Sequence, residues 1–280
     1  MKVQQLVQNY YMCRFRLLTM FSKKAAADDA FKLFCSPVFK VKYQLSGYLQ
    51  KAEPLQFAFG KIQTVGYRWN KGGAKKIYIA HGFRSSASNF VHIAKVLVAK
   101  GYEVVAFDAP AHGKSKGHTL TALEYKNFIG ALDMQYGPFD GYVCHSFGGM
   151  AVSFLLAEKP EKEQMRIALI APASDTKSLM TMFFTKMRIT DKSVQKYFIE
   201  KIEQLAQKPI EWLTLKRAIP AIKGVVLWVH DMNDKVIPVA DAYTVRDIDL
   251  KNIKFIFTKE LGHRRIYRDE QIVTAVASFL

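Results

Sequence analysis

Hydrophobic spacing changes character along the chain. Near the start, Leu6, Tyr10, Cys13, Leu17 and Phe21 follow one another at steps of three and four, with Arg14 and Arg16 off that stripe. The spacing predicts a helical extension over residues 1–45. Within it, Asp28 and Asp29 open a second helix through Ala30, Phe31, Leu33 and Phe34 that stops before Pro37. Two strand-like runs follow at 55–59 and 62–69, with turns near Gly60 and over 70–73. From Lys76 onward, short apolar runs at 77–80, 103–107, 142–144, 167–170, 225–229 and 253–257 alternate with helical stretches. Between the first two, an amphipathic stretch through Phe90, Ile93, Ala94 and Leu97 ends at Gly101. Later, Thr121 and Glu124 stand at the spacing of a capping box that opens a helix toward Met134. Near-continuous apolar strands alternating with helices predict an α/β fold, a mostly parallel central sheet with helices on both faces, over residues 46–280.

The interval from Ile170 to Val225 is too long for one crossover. It holds Leu179, Met180, Met182, Phe183, Phe184 and Met187 among many charges, and predicts two or three extra helices. An insertion there follows the C-terminal end of a strand, where open α/β folds bind ligands, so residues 175–222 read as a helical lid. Phe183 and Phe184 are its candidate substrate-binding side chains, since Met and Phe make adaptable apolar walls.

Composition narrows the class. A chain of 280 residues, 50% hydrophobic and 23% charged, suits one large α/β domain with an insertion and excludes a disordered protein. Cys13, Cys35 and Cys144 are scattered and show no CxxC spacing, against a disulfide framework or a thiolate zinc site. No window approaches the ~18 uninterrupted apolar residues of a spanning helix, and Arg14 and Arg16 interrupt any signal-peptide core. A reduced, cytoplasmic compartment is the expectation. Lys and Arg number 41 against 24 Asp and Glu, a net charge of +17 that attracts anions without specifying one. No basic block of five or six appears, so a solvated Lys-rich surface is expected and no specific nucleic-acid site. Residues 1–60 carry nine basic against three acidic side chains, which adds weak association with an anionic membrane surface. Packing of the apolar stripe on the domain explains that stripe more simply.

Chemistry concentrates at the strand ends. The run Tyr142-Val143-Cys144-His145-Ser146-Phe147-Gly148-Gly149 carries an apolar strand straight into a serine and two glycines that open a helix. A nucleophile on such an elbow has a strained backbone and needs small neighbours two residues either side. Gly148 is one; Cys144 stands where the pattern has Gly. The helix start leaves the Phe147 N–H available to a developing oxyanion, and an ordinary turn with Ser as helix cap accounts for the same residues. After the strand at 77–80 comes His81-Gly82-Phe83, whose glycine lets the Phe83 N–H face the site as a second donor. Phe107-Asp108-Ala109-Pro110-Ala111-His112-Gly113-Lys114-Ser115 includes Gly-Lys-Ser, but a phosphate loop needs glycine at 108. It reads as a turn-forming loop with a structural His112. A carboxylate just past one strand (Asp231 or Asp234) and a histidine just past the next (His263) can meet over the sheet edge. Their order after Ser146 is the one this architecture uses.

In these residues the sequence resembles the α/β-hydrolase superfamily, over roughly residues 50–280. The resemblance implies Ser146 as nucleophile, His263 as general base and Asp234 as the acid that orients it, with Asp231 the second candidate. It also implies an oxyanion hole from the Phe83 and Phe147 N–H groups. His230 followed four residues later by Asp234, then Val236 and Pro238, is similar to the family's acid turn. Two departures are Cys144 for glycine in the elbow and Ala111 for the glycine common before His112. The implied activity is hydrolysis of an ester or thioester of a small-molecule acyl substrate through an acyl-enzyme, with no metal or organic cofactor. Carbon–carbon or amide hydrolysis, perhydrolysis, or a non-catalytic binding protein on the same fold are the alternatives.

Overall fold

The computed structural model describes residues 2–38, 47–159 and 164–280. The first of these stretches joins Asp175–Thr214 in one unit, and the other described residues form a second. In chain order the helices are α1 (Lys2–Phe21), α2 (Lys23–Phe34), α3 (Val91–Ala99), α4 (Ala122–Tyr136), α5 (Phe147–Leu156) and α6 (Thr176–Met187). There follow α7 (Lys192–Ala206), α8 (Leu215–Ala218), α9 (Val239–Arg246), α10 (Gly262–Arg265) and α11 (Glu270–Phe279). The strands are β1 (Glu53–Phe59), β2 (Ile62–Trp69), β3 (Lys76–Ala80), β4 (Glu103–Phe107), β5 (Gly141–His145), β6 (Arg166–Ile170), β7 (Val225–Asp231) and β8 (Ile253–Thr258).

The larger unit is built on one eight-stranded sheet in the order β1-β2-β4-β3-β5-β6-β7-β8. The β1–β2 hairpin joins β4 antiparallel, and every pairing from β4 to β8 is parallel. All eight apolar runs are strands, each matching its predicted run or extending it by one or two residues. Alternation along the strands sorts side chains between the two faces. Ile77, Ile79, Val104, Ala106, Val143 and Ile170 share a core with helices α3 and α11. The alternate positions, among them Tyr78, Tyr142, Cys144 and Trp228, are likewise buried, on the side where α4 packs with α5. Covering both faces is what lets every residue of β5 be buried, and β5 is the strand that delivers Ser146. The capping box forms as expected: the Thr121 hydroxyl accepts the Glu124 N–H at 3.1 Å, and the Glu124 carboxylate accepts the Thr121 N–H at 2.7 Å.

In the smaller unit, α2 packs along α7, and α1 packs on α2 and α6. Phe31, Phe34, Phe183, Phe184 and Phe198 form one aromatic cluster, with centroids 4.9–6.2 Å apart. The start of the second helix differs from expectation. Ser22 caps α2 by accepting the Ala25 N–H at 3.2 Å, so the helix begins at Lys23 and Asp28 and Asp29 fall inside it. Asp29 there receives two hydrogen bonds from Arg14, at 2.7 and 2.8 Å. The N-terminal helices and the insertion thus make one body, with Lys23 paired to Asp191 and Lys201 to Asp28. The face of α1 that packs carries Phe15, whereas the predicted stripe of Leu6, Tyr10 and Leu17 is exposed. Residues 39–45 of the predicted extension lie outside the described residues.

Candidate active site

Ser146 stands between β5 and α5 with φ 51° and ψ −119°, a conformation L-residues rarely adopt. Three features of its surroundings hold it. The Ser146 N–H donates to the Ile170 carbonyl at 3.1 Å, and the Ser146 carbonyl accepts from Gly149 and Ala173 at 2.9 and 3.0 Å. At Gly148, a Cβ would come within 2.5 Å of the Ala80 carbonyl oxygen, and at Gly149 within 2.7 Å of Pro172. Only glycine lets α5 approach the sheet this closely. Cys144, on the other side of the elbow, is fully buried, and burial pushes its thiol well above the ordinary range. A protonated thiol in the sheet core is an apolar spacer.

His263 reaches the elbow from α10. Its Nε2 lies 3.0 Å from Ser146 Oγ, and its Nδ1 lies 2.7 Å from Asp234 Oδ2. With a carboxylate on one side, the proton belongs on Nδ1, leaving Nε2 to accept from the serine hydroxyl. The Asp234 side chain is completely enclosed. Burial works to raise its pKa, but the His263 hydrogen bond and charge and the N–H groups of Ile237 and Val236, at 2.9 and 2.7 Å, outweigh it and hold the carboxyl below its usual value. Asp231, the other candidate acid, faces elsewhere. It accepts from the Thr258 hydroxyl at 2.7 Å and from the Leu261 and Asn233 N–H groups at 3.0 Å each. It thereby ties the loop before His263 to the turn that carries Asp234. Buried His230 donates through Nε2 to the Ile237 carbonyl at 3.1 Å and fixes the far side of that turn.

Two histidines given no catalytic part hold the remaining loops. His81 donates through Nδ1 to the Gly82 carbonyl at 2.8 Å and accepts the Ala109 N–H on Nε2 at 3.0 Å. His145 donates through Nε2 to the carbonyl of His263 itself at 2.9 Å, its ring 4.7 Å from the His263 ring. Burial drives both rings down to about 3, so both are neutral. His145 was missed as a positioning residue; its place directly before Ser146 was the available signal. At Gly82 a Cβ would meet His145 Nδ1 at 2.8 Å and Ser146 Cβ at 3.0 Å, which sets Phe83 beside the elbow. The Phe83 and Phe147 rings touch edge to face at 5.4 Å, and Phe147 is the first residue of α5, where an N–H has no acceptor within the helix.

Asp108 braces this region from beneath, accepting the Ala87 and Lys114 N–H groups at 2.8 Å each, while His112 donates to the Pro110 carbonyl at 2.9 Å. Ala111 takes φ 66°, which is why glycine is common there. Arg84 follows Phe83 and Arg264 follows His263; burial, and then the charge of Arg264, lower the Arg84 pKa. Phe183 and Phe184 sit in the smaller unit, where their rings pack against Phe34, Phe198 and each other. Among the described residues, no three His, Cys, Asp or Glu side chains gather as a metal site.

The family described as serine aminopeptidase, S33 matches residues 73–219, just over half of the chain. A dihydrolipoyllysine-residue acetyltransferase component of the acetoin cleaving system, from Cupriavidus necator, is 29% identical over 130 residues, 45% of this chain. That stretch is 34% of the relative, so the chain spans about a third of its length. The Pyrococcus furiosus esterase Pf2001 superposes with a TM-score of 0.62 at 20% identity, covering 86% of this chain and 95% of that one. The thioesterase domain from the curacin biosynthetic pathway gives 0.59 at 18%, covering 81% and 98%. Sheet order, strand-to-helix elbow and family match agree: the chain has the α/β-hydrolase fold and belongs to the serine aminopeptidase S33 family of hydrolases.

Proposed function

We propose that this protein is a serine hydrolase that cleaves an ester or thioester of a small-molecule acyl substrate through an acyl-enzyme on Ser146. The observation that carries the reading is the continuous relay from Ser146 Oγ through His263 to Asp234, with hydrogen bonds of 3.0 and 2.7 Å. His263 Nε2 takes the hydroxyl proton as Oγ bonds to the acyl carbon, and Asp234 stabilises the imidazolium that forms. The Phe83 and Phe147 N–H groups receive the charge that develops on the carbonyl oxygen. The imidazolium gives that proton to the leaving oxygen or sulfur as its bond to the acyl carbon breaks. A water then passes a proton to His263 Nε2 as its oxygen bonds to the acyl carbon, and the imidazolium returns the proton to Ser146 Oγ as the acyl–Ser146 bond breaks, releasing the acid.

Charge favours an ester or thioester over the amino-terminal amide that the family description names. An aminopeptidase has to hold an α-ammonium group near the nucleophile. Here Asp234 is committed to His263 and Asp231 to Thr258 and Leu261. The side chains that follow Phe83 and His263 are the cations Arg84 and Arg264. Esterase and thioesterase activities carried by proteins of this fold support the same choice. The test is a fluorophosphonate probe followed by peptide mapping, with turnover of p-nitrophenyl esters, acyl thioesters and aminoacyl p-nitroanilides run in parallel. Labelling of Ser146 and preference for the oxygen or sulfur ester is the expected result. Faster cleavage of the anilides, or no label on Ser146, overturns the reading.

A further inference from the structure

Helix α1 is apolar on two opposite faces. One carries Phe15 and packs against neighbouring helices of its unit. The other carries Val3, Leu6, Tyr10, Leu17, Met20 and Phe21, all exposed by 57% to 86%. These residues lie along one side because their spacings follow the helical repeat. Large apolar side chains scattered over a surface are ordinary; six in one continuous stripe mark a contact surface.

The charges of α1 identify what covers it. The helix contains Lys2, Arg14 and Arg16 and neither Asp nor Glu, and the two arginines flank the stripe on either side. Arg14 is paired with Asp29, while Arg16 and the nearby Lys24 are exposed and, among the described residues, pair with no carboxylate. Two copies of α1 laid seam to seam would bring basic flanks together with no acid to answer them. A bilayer rich in anionic lipid supplies a hydrocarbon boundary for the stripe and negative headgroups for its flanks. Among the described residues, no helix is long and apolar enough to cross a membrane, so the geometry is that of a helix lying in the interface plane. We propose that α1 is an interfacial anchor that docks this protein on an anionic membrane surface. The inference does not depend on the chemistry at Ser146.

Vesicle flotation of the full chain tests it, with phosphatidylcholine vesicles made with and without phosphatidylglycerol. The wild type is expected to float with the anionic vesicles and to bind neutral ones at least about tenfold more weakly. Replacing Leu6, Leu17 and Phe21 together by Gln removes three side chains from the hydrocarbon boundary and should lower partitioning at least about a hundredfold. Arg16→Gln with Lys24→Gln should lower it about tenfold and flatten its salt dependence. All five positions are exposed, and far-UV circular dichroism checks that the helices persist. Failure of the wild type to float with anionic vesicles overturns the proposal, as does undiminished flotation of the triple variant. So does a wild-type dimer, seen by light scattering, that the triple variant loses while neither protein binds vesicles, for then the occupant is a second copy.

Discussion

At Ser146 a residue with a side chain occupies a backbone region that costs of order 1–3 kcal/mol, and glycines at 148 and 149 make room for it. The hydroxyl projects from the elbow and contributes little packing. Ser146→Ala should therefore keep the fold, shown by an unchanged melting temperature, and lower kcat/KM for the best ester at least about a thousandfold. The two aspartates of the β7 turn separate by what they hold. Asp234→Asn leaves the shape but presents an amide to His263 Nδ1, favouring the wrong tautomer, so kcat should fall by about three to four orders of magnitude. Asp231→Asn instead weakens the bonds to Thr258, Leu261 and Asn233. Its expected signature is a lower melting temperature with a kcat loss at least tenfold smaller than that of Asp234→Asn. Matched steady-state and thermal data on the pair decide the assignment, and a larger kcat loss at Asp231 would reverse it.

At the scale of elements, strands β3 to β7 were legible because each is apolar enough to be buried from both sides. The partly exposed β1, β2 and β8 were legible from apolar residues recurring between turns, and the elbow because Ser146-Phe147-Gly148-Gly149 breaks the strand pattern at once. The order Ser146, Asp234, His263 could be read from strand ends, while the bonds that separate Asp234 from Asp231 depend on loop geometry that no periodicity encodes. The start of α2 was misjudged because Asp28 and Asp29 look like caps, whereas Ser22 lies earlier and takes the position. The stripe on α1 was expected to pack inward; helical periodicity marks a face without saying whether its partner is the same chain. Two side chains within these elements give direct tests. Cys144 fills space in β5, so Cys144→Gly should cost about 1–3 kcal/mol in urea unfolding through chain entropy and a small void. Ester turnover should stay within about twofold, and thiol reagents should inactivate the wild type slowly, because the sulfur is buried and protonated. Phe184 is surrounded by Phe183 and Phe198. Phe184→Ala should cost about 3–5 kcal/mol in the smaller unit. Chain-length preference measured on graded p-nitrophenyl esters separates packing from binding: a uniform change assigns the ring to the cluster, and a loss that grows with each methylene assigns it to the substrate.

Over the whole molecule, the positioning histidines make stability depend on pH. His81 and His145 are held at about 3 by burial, which disfavours the charged ring. In the unfolded chain each returns to about 6.5. Between these values the unfolded chain binds protons that the folded chain excludes, so stability rises with pH across the window. It is complete above about pH 6.5 and declines as pH falls toward 3, at a limiting slope of about 1.4 kcal/mol per pH unit for each ring. Going from pH 7 to pH 5 should then remove about 4 kcal/mol for the two rings, a large part of a typical total of about 5–15 kcal/mol. His230 and His92, lowered mainly by burial, act in the same direction. Asp234 and Asp231, held below their usual value, add a further loss only once pH drops through the unfolded carboxylate range near 4. The net charge of +17 grows as acid is added and strengthens self-repulsion over the same range. Urea unfolding followed through buried Trp228 at a series of pH values measures the slope. His81→Asn removes one of the two rings, so whatever it does to stability at pH 7, the loss between pH 7 and pH 5 should shrink by about 2 kcal/mol. A wild-type midpoint that stays flat from pH 7 to pH 5 would mean that the two rings accept protons in the folded state. The loops they hold beside Ser146 would then be open to water.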